Sequence, residues 1–185
     1  MLSLRAQGVD FESVRKQVAL GGANPEAPVP EAPSLKKAVV RLRDLLKLGL
    51  RDLPAIDDVQ ASIPILAGGW NAKQILGHLI DSASNNHQRF VRAQIQGELV
   101  WPNYEQEPWV ETQAYATADW ETLVKLWIDY NRHLLWIVLH IPEEKTGITC
   151  RIGKEAPMTL AELIDSYAHH MEHHLNQIRA DESQS

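Results

Sequence analysis

The sequence predicts an all-α protein, an antiparallel four-helix bundle with a long loop, residues 98–118, between its second and third helices. Apolar residues recur at helical spacing, one turn per 3.6 residues, in four separate segments. Turn and capping residues separate these segments, and strand signals are nearly absent, since only residues 147–152 suggest a short extended piece. With 185 residues, 44% of them apolar, the chain is long enough to bury the core of one such domain.

The four helices begin and end at recognisable residues. Their predicted spans are residues 34–50, 71–97, 119–140 and 159–180. Ser34 and Asn71 are typical N-cap residues. Thr159 and Glu162 have the spacing of a capping box at the start of the fourth helix. Pro142 follows the third helix and prevents its continuation. In addition to the long loop, these boundaries leave residues 51–70 between the first and second helices and residues 141–158 between the third and fourth.

We assign the helices to one domain, residues 34–181. Residues 1–33 differ from it, because residues 21–33 are rich in Gly, Ala, Pro and Glu and show no periodicity. We expect this segment to be an N-terminal arm or linker that contains at most a short helix over residues 10–20. Residues 182–185 are expected to be a C-terminal tail.

Composition excludes several classes of function. A net charge of −6 and the lack of a basic patch argue against a nucleic-acid partner. The longest apolar run, residues 134–139, is far shorter than the ~20 residues that span a bilayer, so a membrane protein is excluded. A single cysteine cannot form an internal disulfide or a thiolate metal cage, which agrees with a reducing, cytoplasmic location.

Histidine is the unusual residue type, because four of the eight histidines lie within residues 169–174. His170 and His174 lie roughly 40–80° from the centre of the apolar stripe of the fourth helix at ~100° per residue. They therefore face the bundle interior and have the spacing at which two imidazoles can hold one ion. His169 and His173 are predicted to be exposed or to lie outside the ligand shell. The competing interpretation of His170 and His174 is a pair of hydrogen-bonded core histidines.

A polar stripe on the second helix contains His78, Ser82, Asn85 and Arg89. One interpretation is a solvated helix face, which is the common origin of such a stripe. The other is a cleft lining, in which His78 completes a three-histidine site while Asn85 and Arg89 bind a polar or anionic ligand. The helical wheel of this one helix leaves both interpretations open.

The remaining histidines and the cysteine receive no chemical role. His87, His133 and His140 have no sequence partner at metal-ligand spacing. Cys150 has no histidine in its sequence context, and a lone cysteine of this kind is typical of a small buried side chain.

Several motifs carry a resemblance to a known family. In order they are Gly69-Trp70-Asn71, His78-Leu79-Ile80-Asp81-Ser82, Asn85, Arg89-Phe90, Met158-Thr159-Leu160 and Tyr167-Ala168-His169-His170-x-x-His173-His174-x-x-Gln177-Ile178. The chain resembles the DinB-like superfamily, and more narrowly its metal-dependent hydrolase branch, which is related to bacillithiol S-transferases. The resemblance covers about residues 34–179.

The resemblance implies a four-helix bundle that holds one divalent ion, often nickel or zinc, through one histidine of the second helix and two of the last. These positions correspond to His78, His170 and His174. The last two are the pair that the helical wheel selects independently. For His78 the resemblance favours the cleft over the solvated face.

Three neutral imidazoles leave a divalent ion with at least one open position, where a water can be activated for hydrolysis or a thiol for S-transfer. The expected substrate is a small molecule, and a low-molecular-weight thiol with carboxylates would suit Arg89 and Asn85. Asp81 is a candidate for proton transfer or for support of the ligands. The aromatic segment at residues 101–109 is a candidate apolar wall for an electrophile.

Two other classes of function compete with a metal-dependent enzyme. One is a non-catalytic metal-binding or interaction protein with the same bundle, and the other is a helical scaffold with incidental histidines. Bundles of this kind often pair through an exposed helix face, and the six tryptophans favour a homodimer.

Overall fold

The computed structural model describes residues 33–66 and 68–182. Its helices are α1 (Pro33–Asp52), α2 (Ala72–Gln96), α3 (Gln106–Thr112), α4 (Trp120–Leu139) and α5 (Leu160–Glu182). The long helices α1, α2, α4 and α5 form the predicted four-helix bundle, which is confirmed. The predicted arm at residues 1–33 lies outside the described residues except for Pro33, and the predicted tail lies outside them except for Glu182.

The order of the helices around the bundle differs from their order in the chain. Helix α1 packs against α4 and α5, and α2 packs against the same two helices. Helices α1 and α2 are therefore diagonal to each other, although they are consecutive in sequence. The connection between them includes two short 3₁₀ turns, Leu53–Ala55 and Gln60–Ser62.

A small three-stranded sheet lies at one end of the bundle and was largely missed by the sequence analysis. Its strands are β1 (Leu99–Trp101), β2 (Thr149–Ile152) and β3 (Met158–Thr159), in the order β1-β2-β3. Strand β1 is parallel to β2, and β2 is antiparallel to β3. Only β2 falls within the predicted extended piece, because β1 and β3 are too short to show alternation of polar and apolar residues.

The segment predicted as a loop at residues 98–118 contains regular structure. Strand β1, helix α3 and the 3₁₀ turn Tyr115–Thr117 occupy most of it. Val110 and Tyr115 are buried and anchor the segment against α2. The segment therefore forms a wall beside α2 rather than a free loop.

The predicted caps are present at both helices that carry the three candidate ligand histidines. At α2 the Asn71 side chain accepts a hydrogen bond from the Gln74 backbone, and the Gln74 side chain accepts one from the Asn71 backbone. At the start of α5, Thr159 and Glu162 form the reciprocal pair. Such capping boxes satisfy backbone donors that a helix start leaves unpaired.

Within the described residues, no helix is long and apolar enough to cross a membrane.

Candidate metal centre

His78 lies in the second turn of α2 and is fully buried, with 0% of its surface exposed. Because α2 packs against both α4 and α5, the polar stripe of this helix faces protein rather than solvent. Ser82 and Arg89, which share the stripe, are also buried. The solvated-face interpretation is therefore wrong, and the stripe lines the bundle interior.

His170 and His174 of α5 meet His78 across the bundle. The Nε2 atoms of His78 and His170 are 3.0 Å apart, and the ring centroids of the three histidines are 4.6–4.9 Å from one another. One nitrogen from each ring lies within 4.8 Å of the others. A tetrahedral ion with nitrogen ligands at 2.0–2.1 Å separates those ligands by about 3.3 Å, so the spacing fits one divalent ion.

Burial keeps these imidazoles neutral. It lowers the pKa of His78 to about 3 and that of His170 to about 4, with a smaller contribution from repulsion between the rings. Burial also lowers the pKa of His174, although its hydrogen bond to Gln177 acts in the opposite direction. A neutral imidazole has the free lone pair that a metal ligand needs. The donor set is therefore chemically suited to a divalent metal ion.

The two outer histidines of this helix lie where the helical wheel predicts. His169 and His173 are exposed, whereas His170 and His174 are partly buried. His174 Nδ1 lies 2.8 Å from Gln177 Oε1, an acceptor, so this nitrogen donates and Nε2 keeps its lone pair. The Gln177 amide nitrogen donates to His173 Nε2 at 3.1 Å. His173 thus contacts the cluster through Gln177 and also directly, with 5.1 Å between its ring centroid and that of His174.

Aromatic side chains enclose His78. The Trp70 ring centroid lies 5.4 Å from that of His78, and the Tyr104 centroid lies 6.5 Å away. His78 Nδ1 is buried without a hydrogen-bond partner among the described residues, so ring packing rather than a hydrogen bond orients this imidazole. The Ser82 hydroxyl lies 3.4 Å from His170 Nδ1. Burial raises the pKa of Tyr104 to about 12 and keeps the phenol protonated.

Asp81 lies one turn after His78 and is buried. Its Oδ1 accepts hydrogen bonds from the Tyr115 hydroxyl at 2.9 Å and the Gln113 amide at 2.8 Å. Its Oδ2 is buried without a partner among the described residues. Burial raises the pKa of this carboxyl, and the two hydrogen bonds oppose that shift only in part. Asp81 is therefore held beside the histidine cluster in a dry environment.

The other two residues predicted to act at the site lie farther along α2. Asn85 is half-buried, and its amide nitrogen donates to the Asp81 backbone carbonyl at 3.0 Å. Arg89 is only 7% exposed, and its Nη1 donates to Asn86 Oδ1 at 3.4 Å. Its Nε and Nη2 atoms are buried without partners among the described residues. Burial lowers the pKa of Arg89, while Tyr104 and Glu155 partly offset the shift.

Sequence reasoning missed several residues around the cluster. Tyr115 and Gln113, which hold Asp81, lie in the segment predicted as a loop, where no periodicity indicates their positions. His87 and His133, which have no partner at metal-ligand spacing in the sequence, pack their rings together with 5.1 Å between centroids. That pair comes from two different helices, α2 and α4, so no spacing in the sequence reveals it.

Two residues without a predicted role behave as expected. Cys150 is fully buried, and burial raises the pKa of its thiol to about 11, which makes it a poor nucleophile. His140 is exposed, and its Nδ1 donates to the Trp136 carbonyl at 2.7 Å at the end of α4.

Comparison with known sequences agrees with this geometry. The family model described as the DinB superfamily matches residues 55–178. A Bacillus mycoides protein named "putative metal-dependent hydrolase" is 27% identical over 142 residues, which cover 76% of this chain and 80% of that protein. A protein of the same name from Oceanobacillus iheyensis is 25% identical over 125 residues, covering 68% of this chain and 72% of the relative.

Two solved structures share the fold. YfiT from Bacillus subtilis, described as a probable metal-dependent hydrolase with an unusual four-helix bundle topology, has a TM-score of 0.63 and 18% identity. That match covers 98% of this chain and 93% of YfiT. A mycothiol-dependent maleylpyruvate isomerase has a TM-score of 0.61 and 14% identity, covering 76% of this chain and 59% of the isomerase.

Proposed function

The chain belongs to the DinB superfamily, and on this premise we propose that it is a divalent-metal-dependent enzyme acting on a small molecule. We propose His78, His170 and His174 as the ligands and nickel or zinc as the ion. The observation that carries the proposal is the convergence of three neutral imidazoles from two helices on one point, one of them buried and two partly buried. The names of the curated relatives support metal-dependent hydrolysis as the reaction class.

The three imidazoles carry no charge, so a bound ion would keep its full positive charge and, with an open position, would lower the pKa of a water or thiol held there. The chain itself supplies the surroundings of that position. Trp70 and Tyr104 cover His78 and limit the access of bulk water. The Tyr115 hydroxyl positions Asp81 near the reacting group. Burial raises the pKa of this carboxyl, which favours its holding and releasing a proton there.

Arg89 supports an anionic group on the substrate. A buried guanidinium with two unpaired nitrogens is costly, and a carboxylate would satisfy both with paired hydrogen bonds. Arg89 follows His78 by eleven residues, which is about 16 Å along the helix axis, and its long side chain leans back toward the helix N-terminus. The substrate group bound by Arg89 is therefore expected to lie several bonds away from the reacting atom.

This arrangement keeps a second reaction class in consideration, transfer of a low-molecular-weight thiol. Such a thiol carries a sulfur at one end and carboxylates at the other, which matches the separation of the histidine cluster and Arg89. The fold is shared with a mycothiol-dependent isomerase, so the same bundle serves a thiol-dependent enzyme elsewhere. Hydrolysis and thiol transfer differ in the attacking atom, oxygen or sulfur, and a panel of substrates separates them.

Metal content tests the ligand set. Protein produced without a histidine tag, in medium with nickel and zinc, is expected to contain about one ion per chain. His174→Ala should lose most of the metal, because it removes a ligand. His173→Ala, on the exposed side of the same helix, should retain it. A wild-type protein that contains little metal, or equal losses in the two variants, would contradict the proposed site.

Turnover separates an enzyme from a metal-binding protein. We would assay metal-loaded and chelator-treated protein on esters and amides and on conjugation of thiols to monochlorobimane, using each thiol with and without a carboxylate. We expect metal-dependent turnover in one of the two panels. Arg89→Met should raise KM about tenfold for carboxylate-bearing substrates only, since hydrogen bonds to charged groups contribute about 1.5–3 kcal/mol. No metal-dependent turnover in either panel would favour a non-catalytic bundle.

A further inference from the structure

An open cleft of about 1000 Å³ lies beside the histidine cluster, between α2 and the segment at residues 101–113. Four aromatic side chains, Trp101, Tyr104, Trp109 and Tyr130, contribute to its walls. Clefts of this size with aromatic walls and a few polar groups are typical of small-molecule sites. The cleft is lined on one side by α2, the helix that carries His78.

The lining of the cleft carries almost no charge. Glu105 is its one carboxylate, and it has no lysine, arginine or histidine among the described lining residues. Arg92 stacks on the Trp101 ring at 4.8 Å from its centroid without lining the cleft. An anionic group would find no cation here, so the electrostatic character of the cleft differs from that of Arg89.

The cleft and the histidine cluster share a wall. Tyr104 lines the cleft, and its ring lies 6.5 Å from the His78 ring. Gln113 also lines the cleft and donates a hydrogen bond to Asp81. Tyr104 and Gln113 therefore belong both to the wall of the cleft and to the surroundings of the cluster.

The walls offer stacking surface and one available acceptor. Trp109 is 39% exposed and packs on Tyr104 with 5.0 Å between ring centroids. A large aromatic ring held partly in solvent on a short helix gains stability when a ligand ring covers it. Asn85 also lines the cleft, and its Oδ1 has no hydrogen-bond partner within the described part of the chain.

We infer that this cleft binds the uncharged aromatic part of the substrate, with stacking on Trp109 and a hydrogen bond to Asn85. The inference rests on the proposed function in one respect: the bound part of the substrate lies next to a reacting group only if the histidines hold a metal ion. Binding itself requires no metal. The substrate class is thus a molecule with a neutral aromatic group in the cleft and its reacting group directed toward the histidines.

Two fluorescent probes test this inference on the full chain. N-phenyl-1-naphthylamine is neutral, and 8-anilino-1-naphthalenesulfonate has the same rings with a sulfonate. We expect saturable binding of the neutral probe to both metal-free and metal-loaded protein. Binding of the sulfonate probe should be at least tenfold weaker, because a desolvated anion without a cationic partner is unfavourable. Equal or tighter binding of the sulfonate probe would overturn the uncharged character of the site.

Matched tryptophan variants locate the site. Trp109→Ala should weaken binding of the neutral probe about tenfold, and Trp109→Phe should restore most of it, because a stacking ring is retained. Trp136→Ala is the control, since Trp136 is similarly exposed, 45%, but lies on α4 outside the cleft. Far-UV circular dichroism checks that each variant is folded. The inference is overturned by a lack of saturable binding to the wild type, or by equal effects of Trp109→Ala and Trp136→Ala.

Because probe binding is measured on the metal-free protein as well as on the metal-loaded protein, its outcome is independent of the metal-content experiment. Probe binding with no bound metal would refute the proposed function and leave the cleft as a ligand site. Metal binding with no probe binding would refute the inference and leave the proposed function intact.

Discussion

Gln177 connects an exposed histidine to a candidate metal ligand. Its amide oxygen accepts the His174 Nδ1 proton, and its amide nitrogen donates to His173 Nε2. This fixes the His174 tautomer with the lone pair on Nε2. In metalloproteins such partners orient the ligand ring and increase its basicity. A residue that touches no metal in the proposed site is thus expected to set part of its affinity.

We expect Gln177→Leu to weaken zinc or nickel binding about tenfold, the lower end of the effect that such supporting residues have on metal affinity. Gln177→Glu should retain affinity, because a carboxylate accepts the same proton. Asn176→Leu, at the neighbouring exposed position, serves as the control. Isothermal titration calorimetry gives the affinities, and the visible spectrum of the cobalt-substituted protein reports the geometry of the ligands. An unchanged affinity in Gln177→Leu would show that ring packing alone orients His174.

At the same scale, the helical wheel of α5 could separate its four histidines. The wheel depends only on the apolar stripe of one helix. As it predicts, His169 and His173 are exposed, whereas His170 and His174 are partly buried. His78 was different. Its environment depends on two other helices packing over α2, which no single-helix pattern contains. The roles of these residues as ligands stay predictions.

Helix α2 packs against the ring of Tyr115 at Gly77, a position without a side chain. A Cβ added to Gly77 would lie 2.2 Å from Cγ of Tyr115, so the absence of a side chain allows this ring to lie on the helix. The Tyr115 hydroxyl then reaches Asp81 at 2.9 Å. One glycine therefore determines how closely the segment after α3 approaches the histidine cluster.

We expect Gly77→Ala to destabilise the protein by about 1–3 kcal/mol, the usual cost of overpacking. Alanine favours a helix over glycine by about 1 kcal/mol, so an open site would show the opposite sign. Gly147→Ala is the control for an unhindered glycine, because nothing lies within 4 Å of its added Cβ. Gly147 lies between α4 and β2, so the helix preference of alanine does not apply to it. Urea unfolding measures both variants. A Gly77→Ala protein as stable as the wild type would mean that Tyr115 moves away without cost.

The elements differ in how well the sequence predicts them. The long helices repeat their apolar pattern over several turns, and their caps use residue types with a direct hydrogen-bonding role, as Asn71 and Thr159 do. Strand β1 has three residues and pairs with β2 about fifty positions later, a contact that local pattern does not encode. Because the cleft wall is built from that segment, the cleft was predicted only as an aromatic stretch.

At the scale of the whole molecule, the histidine cluster joins α2 to α5 with polar groups that have few partners of their own. His78 is fully buried, and its Nδ1 is without a hydrogen bond among the described residues. Buried polar groups without partners reduce stability. A fold that keeps such a cluster violates the usual rules of core formation, as functional sites commonly do. The metal-free protein should therefore lose stability at pH values low enough to protonate these imidazoles.

Acid is expected to destabilise the metal-free protein through His78. The folded-state pKa of His78 is about 3, below the ordinary value of 6.5, so its neutral form belongs to the folded state. The stability it permits is complete above pH 6.5 and is lost as pH falls toward 3, because the unfolded chain takes up the proton first. Between pH 6.5 and 5 this linkage amounts to about 2 kcal/mol, at about 1.4 kcal/mol per pH unit.

Urea unfolding at pH 7 and pH 5, in the presence of a chelator, measures this loss, and His78→Leu should show a difference between the two pH values smaller by about 2 kcal/mol. His170, with a pKa of about 4, adds to the loss in both proteins. The carboxylates of Asp52 and Asp58 are paired with cations and have lowered pKa values, so their protonation affects stability only below the pH range compared here. If His78→Leu were as acid-sensitive as the wild type, the His78 imidazole would have to be accessible to water and free to take up its proton in the folded bundle.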